Sequence, residues 1–265
     1  MIPYIEIPPI KLGPVEVYAF GILVMCAILV ANWVASKRAA DLGLEVRHLQ
    51  RAVIWVIIFG FIGAHLADVF FYHPERIAKD PLILIKLNKG LSSFGGFLGG
   101  FIGAFIYSRR HRESLASLMD VLTLGFIAGW PFGRMGCFLA HDHPGFTSDF
   151  FLAVNYPGGA RHDLGLYELF FAILLFFVFE RLRSKSFAPG SLILLLGIIY
   201  SPVRFMLDFL RLEDIRYLGL TPAQIASVLL FIFSVLFFVR FQAAYKGSRA
   251  ALLGSANGKS RRHGR

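Results

Sequence analysis

The chain has 265 residues, of which 56% are hydrophobic, and it carries two cysteines and a formal net charge of +10. The hydrophobic residues form long runs instead of the amphipathic stripes of a soluble helix, which argues against a soluble globular domain. The cysteines show no CxxC spacing, so neither a disulfide framework nor a cysteine-rich metal site is indicated. The basic residues cluster between the apolar runs without a recognition motif, so we expect no nucleic-acid binding.

Seven apolar segments approach the length of about 20 residues that a membrane span needs. They are 15–36, 52–72, 92–108, 115–132, 165–180, 190–207 and 221–241. In the third, a small-residue face allows close packing against another helix; it consists of Gly95, Gly96, Gly99, Gly100 and Gly103. We therefore predict an all-α integral membrane protein, a seven-span helical bundle over residues 1–245 with arms on its outer face. Residues 246–265 are predicted to form a basic, disordered tail.

Lys and Arg are concentrated on one side of the predicted spans. They lie in the segments 37–51, 109–112 and 181–185 and in the tail. The positive-inside rule places this side in the cytoplasm, with the N-terminus outside and the C-terminus inside. The long connections on the opposite side, 133–164 above all, are therefore where we expect function.

Four ionisable residues follow the fourth predicted span within one glycine-rich stretch: Arg134, His141, Asp142 and His143. Arg134 offers a planar set of donors that suits a phosphate, and the histidines titrate near neutrality and could accept a proton. One alternative is an arginine that snorkels to the membrane surface. A second is a zinc site of His141, Asp142 and His143, which a His-x-His pair without a further spaced ligand supports only weakly. We predict no metal and no cofactor.

A second group recurs on one face of the sixth predicted span: Tyr200, Arg204, Asp208 and Arg211. A charged stripe in an apolar span faces the bundle interior or a cavity. The alternative is a structural Arg204–Asp208 pair that holds helices together. Glu168, at the start of the fifth span, needs a positive partner, and an arginine is the natural candidate.

At these residues the sequence resembles the bacterial prolipoprotein diacylglyceryl transferases, over about residues 1–245. The motifs that carry the resemblance are 13–14, 20–21, 90–96, 133–136, 162–168, 200–205 and 220–224. The resemblance implies transfer of the diacylglyceryl group of phosphatidylglycerol to the lipobox cysteine thiol of a prolipoprotein signal peptide, with glycerol phosphate leaving. It also implies a bacterial inner-membrane protein whose active site faces the outer, periplasmic leaflet and contacts membrane lipids.

By position, the resemblance implies that Arg134 and Arg204 are the two key arginines, and we expect them to hold the phosphate. Other motif positions, for which we expect substrate-binding roles, are Tyr200, Asp142, Gly145, His162, Tyr167 and Glu168.

The chain departs from the family pattern at four positions, one of which is Phe20, at an early motif position that is usually tyrosine. Phe94 stands where the family has a histidine before its Gly-Gly pair, and Cys137 and Ala140 replace two asparagines of the signature. We expect His141 or His143 to take the catalytic role that Phe94 cannot fill. Two alternative functions are a catalytically altered paralogue that binds phospholipid, which Phe94 favours, and a lipid transporter or flippase, for which an internal repeat is lacking.

Overall fold

The computed structural model describes residues 1–13, 15–85, 90–185, 187–212 and 215–262. The helices are α1 (Ala19–Ala39), α2 (Val46–Ala67), α3 (Glu75–Lys79), α4 (Ser93–His111), α5 (Leu115–Ala140), α6 (Leu164–Leu182), α7 (Ser191–Leu207) and α8 (Pro222–Arg262). The strands are β1 (Ile2–Pro3), β2 (Ile10–Leu12), β3 (Val15–Val17), β4 (Pro144–Thr147), β5 (Val154–Tyr156) and β6 (Gly159–Asp163). Pro14 of the first motif and the last tail residues, 263–265, lie outside the described residues.

Within the described part of the chain, five helical segments are long and apolar enough to cross a membrane. They are Ala19–Leu42, Val46–Tyr72, Leu115–Ala140, Ser191–Leu210 and Pro222–Ser248. Each coincides with a predicted span, which confirms an all-α, multi-pass membrane protein. α4 and α6 occupy the other two predicted positions. Glycines and terminal arginines dilute the hydropathy of α4, and three charged residues interrupt α6, so the count of seven stays a prediction.

Two boundaries differ from those predicted. The fourth predicted span, 115–132, continues as α5 to Ala140 and contains Pro131, so Arg134 lies inside a helix and not in a loop. Proline and glycine are tolerated in a membrane helix because leaving the helix would expose backbone polar groups to lipid. α8 continues to Arg262 through residues where we predicted a disordered tail. Part of this stretch, 249–252, consists of Ala and Leu with one Arg, which all favour helix. The domain boundary at 245 stays a prediction.

Backbones approach most closely where α2 packs along α4. A Cβ on Gly63 would lie 2.5 Å from the Gly95 carbonyl oxygen, and one on Gly103 would lie 2.6 Å from the Trp55 oxygen. The glycine face of the third predicted span is thus used for helix packing, as its spacing indicates.

Asp120 sets the relative height of α5 and α7. Its carboxylate accepts hydrogen bonds from the backbone N–H groups of Gly190 and Leu192, at 2.7 and 2.8 Å, and so caps the start of α7. From this point both helices run toward the same end of the bundle. At about 1.5 Å per residue, Arg134 and Arg204 each lie roughly 20 Å away, and therefore at the same level. We call this the arginine end.

The connection after α5, which we predicted as an irregular arm, forms most of a small sheet at the arginine end. Its strand order is β1-β5-β6-β4, with β1 parallel to β5 and the other pairs antiparallel. Pro157 and Gly158 make the two-residue turn between β5 and β6, and Gly158 and the first residue of β6, Gly159, have φ values of 95° and 123° that favour glycine. The all-α prediction missed this sheet because its strands have five residues or fewer, too short to give a periodic signal.

We predict that Gly99→Ala lowers the melting temperature of the detergent-solubilised protein, because its Cβ would overlap the Phe59 carbonyl oxygen across the α2–α4 contact. Overpacking of this kind costs about 1–3 kcal/mol. Gly21→Ala in α1 is the matched control, since nothing lies within 4 Å of its Cβ position. An unchanged melting temperature for Gly99→Ala would contradict the close packing.

Candidate active site

Glu168, in the first turns of α6, lies between the two arginines. Arg134 Nη2 is 2.6 Å from Glu168 Oε2, and Arg204 Nη1 donates to Glu168 Oε1 at 3.2 Å. Both Glu168 and Arg204 are buried. Asp120 brings α5 and α7 to the same level, and α6 then supplies one carboxylate that both guanidinium groups share. The sequence predicted one arginine partner for Glu168, and the structure shows two, Arg134 and Arg204.

Asp208 ties Arg204 to the start of α8. Its Oδ1 is 2.9 Å from Arg204 Nη2, and its Oδ2 accepts a hydrogen bond from the Thr221 hydroxyl. Thr221 and Gln224 form a reciprocal capping box, with each backbone N–H bonded to the other side chain. The charged stripe predicted for the sixth span therefore anchors α8 and orients Arg204.

A cavity of about 200 Å³ opens beside the two arginines, and we call it the arginine cavity. Its lining residues are Asp68, Tyr72, His73, Leu91, Ser92, Ser93, Phe94, Arg134, His143, Leu164, Glu168, Arg204 and Arg211. Next to it, the buried hydroxyl of Tyr200 and the Nε of Arg204 have no hydrogen-bond partner among the described residues. Buried polar atoms are almost always satisfied, so these donors need an acceptor, which a water molecule or a ligand in the cavity can supply.

His143 lies in the arginine cavity, whereas His141 does not. The His141 ring has Asp163 Oδ2 3.1 Å from Nδ1 and the Ile5 carbonyl oxygen 3.2 Å from Nε2, and it stacks on Tyr4 at 4.0 Å. Both of its ring nitrogens thus contact oxygens of Asp163 and Ile5 and not groups of the arginine cavity. The cause is local: His141 takes a left-handed conformation at φ 50° that ends α5 and sends the next residues in a new direction.

Three other predicted residues, Gly145, His162 and Tyr167, support the loop around the cavity instead of lining it. His162 Nδ1 is 2.7 Å from the Tyr167 hydroxyl oxygen. A Cβ on Gly145 would lie 2.7 Å from the Leu210 carbonyl oxygen and 3.0 Å from His162 Cβ, so a larger residue would push the loop away from Leu210.

Asp142 faces a second, more open cavity of about 510 Å³ between the start of α1 and the end of α5. Its lining residues are Glu16, Val17, Tyr18, Phe20, Gly21, Ala140 and Asp142. Burial raises the pKa of Asp142 to about 6, and burial together with Arg211 and Arg134 lowers the pKa of His143 to about 4. Near pH 7 the imidazole of His143 is therefore neutral.

The sequence analysis did not select Asp68, which lines the arginine cavity. Its Oδ2 has no hydrogen-bond partner among the described residues and is 3.7 Å from Arg76 Nη1. A carboxylate at membrane depth is by itself a signal of function, and this signal was available. Phe94 also lines the cavity, where it packs near Tyr200 with ring centroids 6.2 Å apart.

We predict that Glu168→Gln destabilises the protein by about 3–5 kcal/mol, because it leaves the Arg134 and Arg204 side chains, which are only 11% and 7% exposed, without their shared counter-charge. Glu180→Gln, in the same helix, is the matched control. Its pair with Arg183 has about a third of each side chain exposed and should contribute little. Thermal unfolding in detergent measures both variants, and equal melting temperatures would contradict the bridging role of Glu168.

Comparison with known proteins identifies the family of this chain. Residues 9–240 match the family model described as prolipoprotein diacylglyceryl transferase. A phosphatidylglycerol–prolipoprotein diacylglyceryl transferase of Chromohalobacter salexigens is 29% identical over 86% of this chain and 90% of its own length. Enzymes of the same name from Azotobacter vinelandii and Actinobacillus pleuropneumoniae are each 31% identical, over 81% and 78% of this chain and 84% and 81% of their own lengths. The chain therefore belongs to the prolipoprotein diacylglyceryl transferase family.

Proposed function

We propose that this protein transfers the diacylglyceryl group of phosphatidylglycerol to the lipobox cysteine of prolipoproteins, the first step of lipoprotein maturation. One observation carries the proposal: Arg134 and Arg204, whose side chains are only 11% and 7% exposed, converge on a single carboxylate at the wall of a cavity. Guanidinium groups held in this way present fixed donors to a phosphate. The names of the relatives supply the substrate class.

The phosphate is proposed to bind where Arg134 and Arg204 meet. In the reaction the bond between the glyceryl carbon and a phosphate oxygen breaks, and the departing glycerol phosphate gains negative charge. Donors fixed in a low-dielectric cavity stabilise that developing charge without having to reorganise. The unpartnered Tyr200 hydroxyl and Arg204 Nε provide further donors to the same group.

We propose His143 as the catalytic member of the histidine pair, because it lines the arginine cavity while His141 is held by Asp163. Its role is to activate the substrate thiol, whose unperturbed pKa of about 8.5 leaves little thiolate at neutral pH. Asp142 is proposed to contact the peptide substrate from the second cavity. Gly145, His162 and Tyr167 are proposed to hold the surrounding loop in place.

For the arrangement in the membrane, we propose seven spans, with α4 and α6 completing the five apolar ones. The positive-inside rule then places the arginine end at the outer leaflet of the bacterial inner membrane and the C-terminus in the cytoplasm. A green fluorescent protein fused after residue 245 should fluoresce, and alkaline phosphatase fused there should be inactive. Active phosphatase at this position would contradict the orientation.

We predict that Arg134→Ala abolishes transfer of labelled diacylglyceryl from phosphatidylglycerol to a lipobox peptide, measured in membranes that lack other such enzymes. The variant removes a guanidinium group that donates hydrogen bonds to the lipid phosphate, and it leaves Glu168 with Arg204 as its one arginine partner. Arg183→Ala is the control, since it breaks the 2.7 Å contact of Arg183 with Glu180 far from the cavity and should retain activity. Wild-type turnover by Arg134→Ala would remove Arg134 from the mechanism.

Phe94 supports a second candidate, a paralogue that binds phospholipid without transferring it. Its ring lines the cavity at the position where the family pattern has a histidine. A phenyl ring can neither accept a proton nor donate a hydrogen bond. The same assay separates the two functions. Phosphatidylglycerol that binds in an arginine-dependent way without peptide lipidation would establish the paralogue.

A further inference from the structure

Three potential metal ligands converge at the end of α5. The sulfur of Cys137, a carboxylate oxygen of Asp142 and a ring nitrogen of His143 all lie within 4.8 Å of one another. His143 Nε2 and Asp142 Oδ1 are 3.7 Å apart. Ligands about 2.0–2.3 Å from a tetrahedral zinc ion lie roughly 3.3–3.8 Å from one another, so this pair already has a suitable spacing. The Cys137 sulfur lies within 4.8 Å of the other two ligand atoms, so it needs to approach them by no more than about 1 Å.

The backbone explains why these three residues meet. The left-handed turn at His141 ends α5 and brings Asp142 and His143 back beside the last turn of the helix, where Cys137 lies. The start of α6 packs closely against this end of α5, since a Cβ on Gly165 would lie only 3.0 Å from the carbonyl carbon of Cys137. The zinc site considered from sequence used His141; the structure puts Cys137 in its place.

We propose that Cys137, Asp142 and His143 bind a zinc ion whose fourth position takes the thiol of the substrate cysteine. This inference rests on the proposed transferase function and changes two of its roles: as metal ligands, His143 and Asp142 act on the substrate thiol through the zinc ion and do not take its proton or contact the peptide directly. Three protein ligands with one open position are the usual arrangement of a catalytic zinc, and sulfur, imidazole and carboxylate are all zinc ligands. Two of the three residues, Cys137 and His143, are not those expected from the family pattern, in which position 137 is asparagine.

The location suits a reaction of two substrates. His143 lines the arginine cavity, Asp142 lines the second cavity, and Cys137 lies close to both. A phospholipid phosphate in the first cavity and a peptide thiol entering from the second would therefore meet at the metal. Three arginines act on this site, Arg134, Arg204 and Arg211. Each is paired with a carboxylate: Glu168 is shared by Arg134 and Arg204, and Asp208 by Arg204 and Arg211. The thiolate and the Asp142 carboxylate together balance the charge of Zn²⁺.

The chemistry supplies what Phe94 cannot. A thiol bound to zinc loses its proton to solvent, because the metal stabilises the thiolate. The thiolate sulfur attacks the glyceryl carbon, a C–S bond forms, and the C–O bond to the phosphate breaks with its electron pair on oxygen. Glycerol phosphate leaves beside Arg134 and Arg204. The thioether product is uncharged and a weaker ligand than thiolate, so it leaves the metal.

Metal binding is tested on the full-length protein in detergent, first by zinc content after dialysis and then by cobalt substitution. We expect one metal per chain and a thiolate-to-cobalt absorption band in the wild type. The band should be lost in Cys137→Ser and retained in Cys26→Ser, the matched control in α1. His143→Gln, which keeps both thiols, should lose bound zinc. Absence of zinc from the wild type, or a band that survives Cys137→Ser, would overturn the site.

The fourth position is tested with two lipobox peptides that differ only in cysteine or serine. The cysteine peptide should change the cobalt spectrum and the serine peptide should not; no change with the cysteine peptide would overturn the open position. Transfer at the wild-type rate by zinc-free protein would overturn the inference and leave the proposed function standing. Zinc bound through Cys137 without any transfer would support the site and contradict the function.

Discussion

The sharing of Glu168 by Arg134 and Arg204 is the interaction on which the arginine end depends. Three charged groups removed from water are stable only if each keeps close, well-directed partners. α5, α6 and α7 must therefore hold their relative heights, which the Asp120 cap of α7 fixes at the opposite end. The result is a preformed pair of guanidinium groups whose donors are set before a phosphate arrives.

Much of this arrangement could be predicted from the sequence. An ionisable residue in an apolar span needs a partner of opposite charge. The sequence therefore predicts ion pairs among four residues: Arg134, Arg204, Glu168 and Asp208. The position of α4 followed from its glycine spacing in the same way, since residues without side chains mark a close contact. These inferences depend on strong local rules, because burial of an unpaired charge or a backbone clash costs more than most alternatives.

The rest depends on tertiary contacts that no local pattern reports. His141 and His143 are equivalent in sequence, yet the left-handed turn at His141 sends one ring to Asp163 and the other to the cavity. The sequence analysis ended this helix before its true end at Ala140, because proline and glycine usually end helices in soluble proteins. Pro131 and its neighbouring glycines are tolerated in a membrane helix. The sheet strands are too short to show alternation, and their pairing is set by the fold around them.

The family membership and the departures from the family pattern fit one chemical account. In this account Arg134 and Arg204 keep the proposed phosphate site, Phe94 removes the proton acceptor of the family pattern, and the proposed zinc ligands Cys137 and His143 replace it. The same bond exchange would then proceed with a different means of activating the thiol.

The most direct test of the account is a cryo-electron microscopy structure of the protein in phosphatidylglycerol nanodiscs. We predict a phosphate within about 2.7–3.2 Å of the guanidinium nitrogens of both Arg134 and Arg204, inside the arginine cavity. A lipid phosphate bound elsewhere, with Arg134 and Arg204 still contacting Glu168 and no phosphate, would contradict this account.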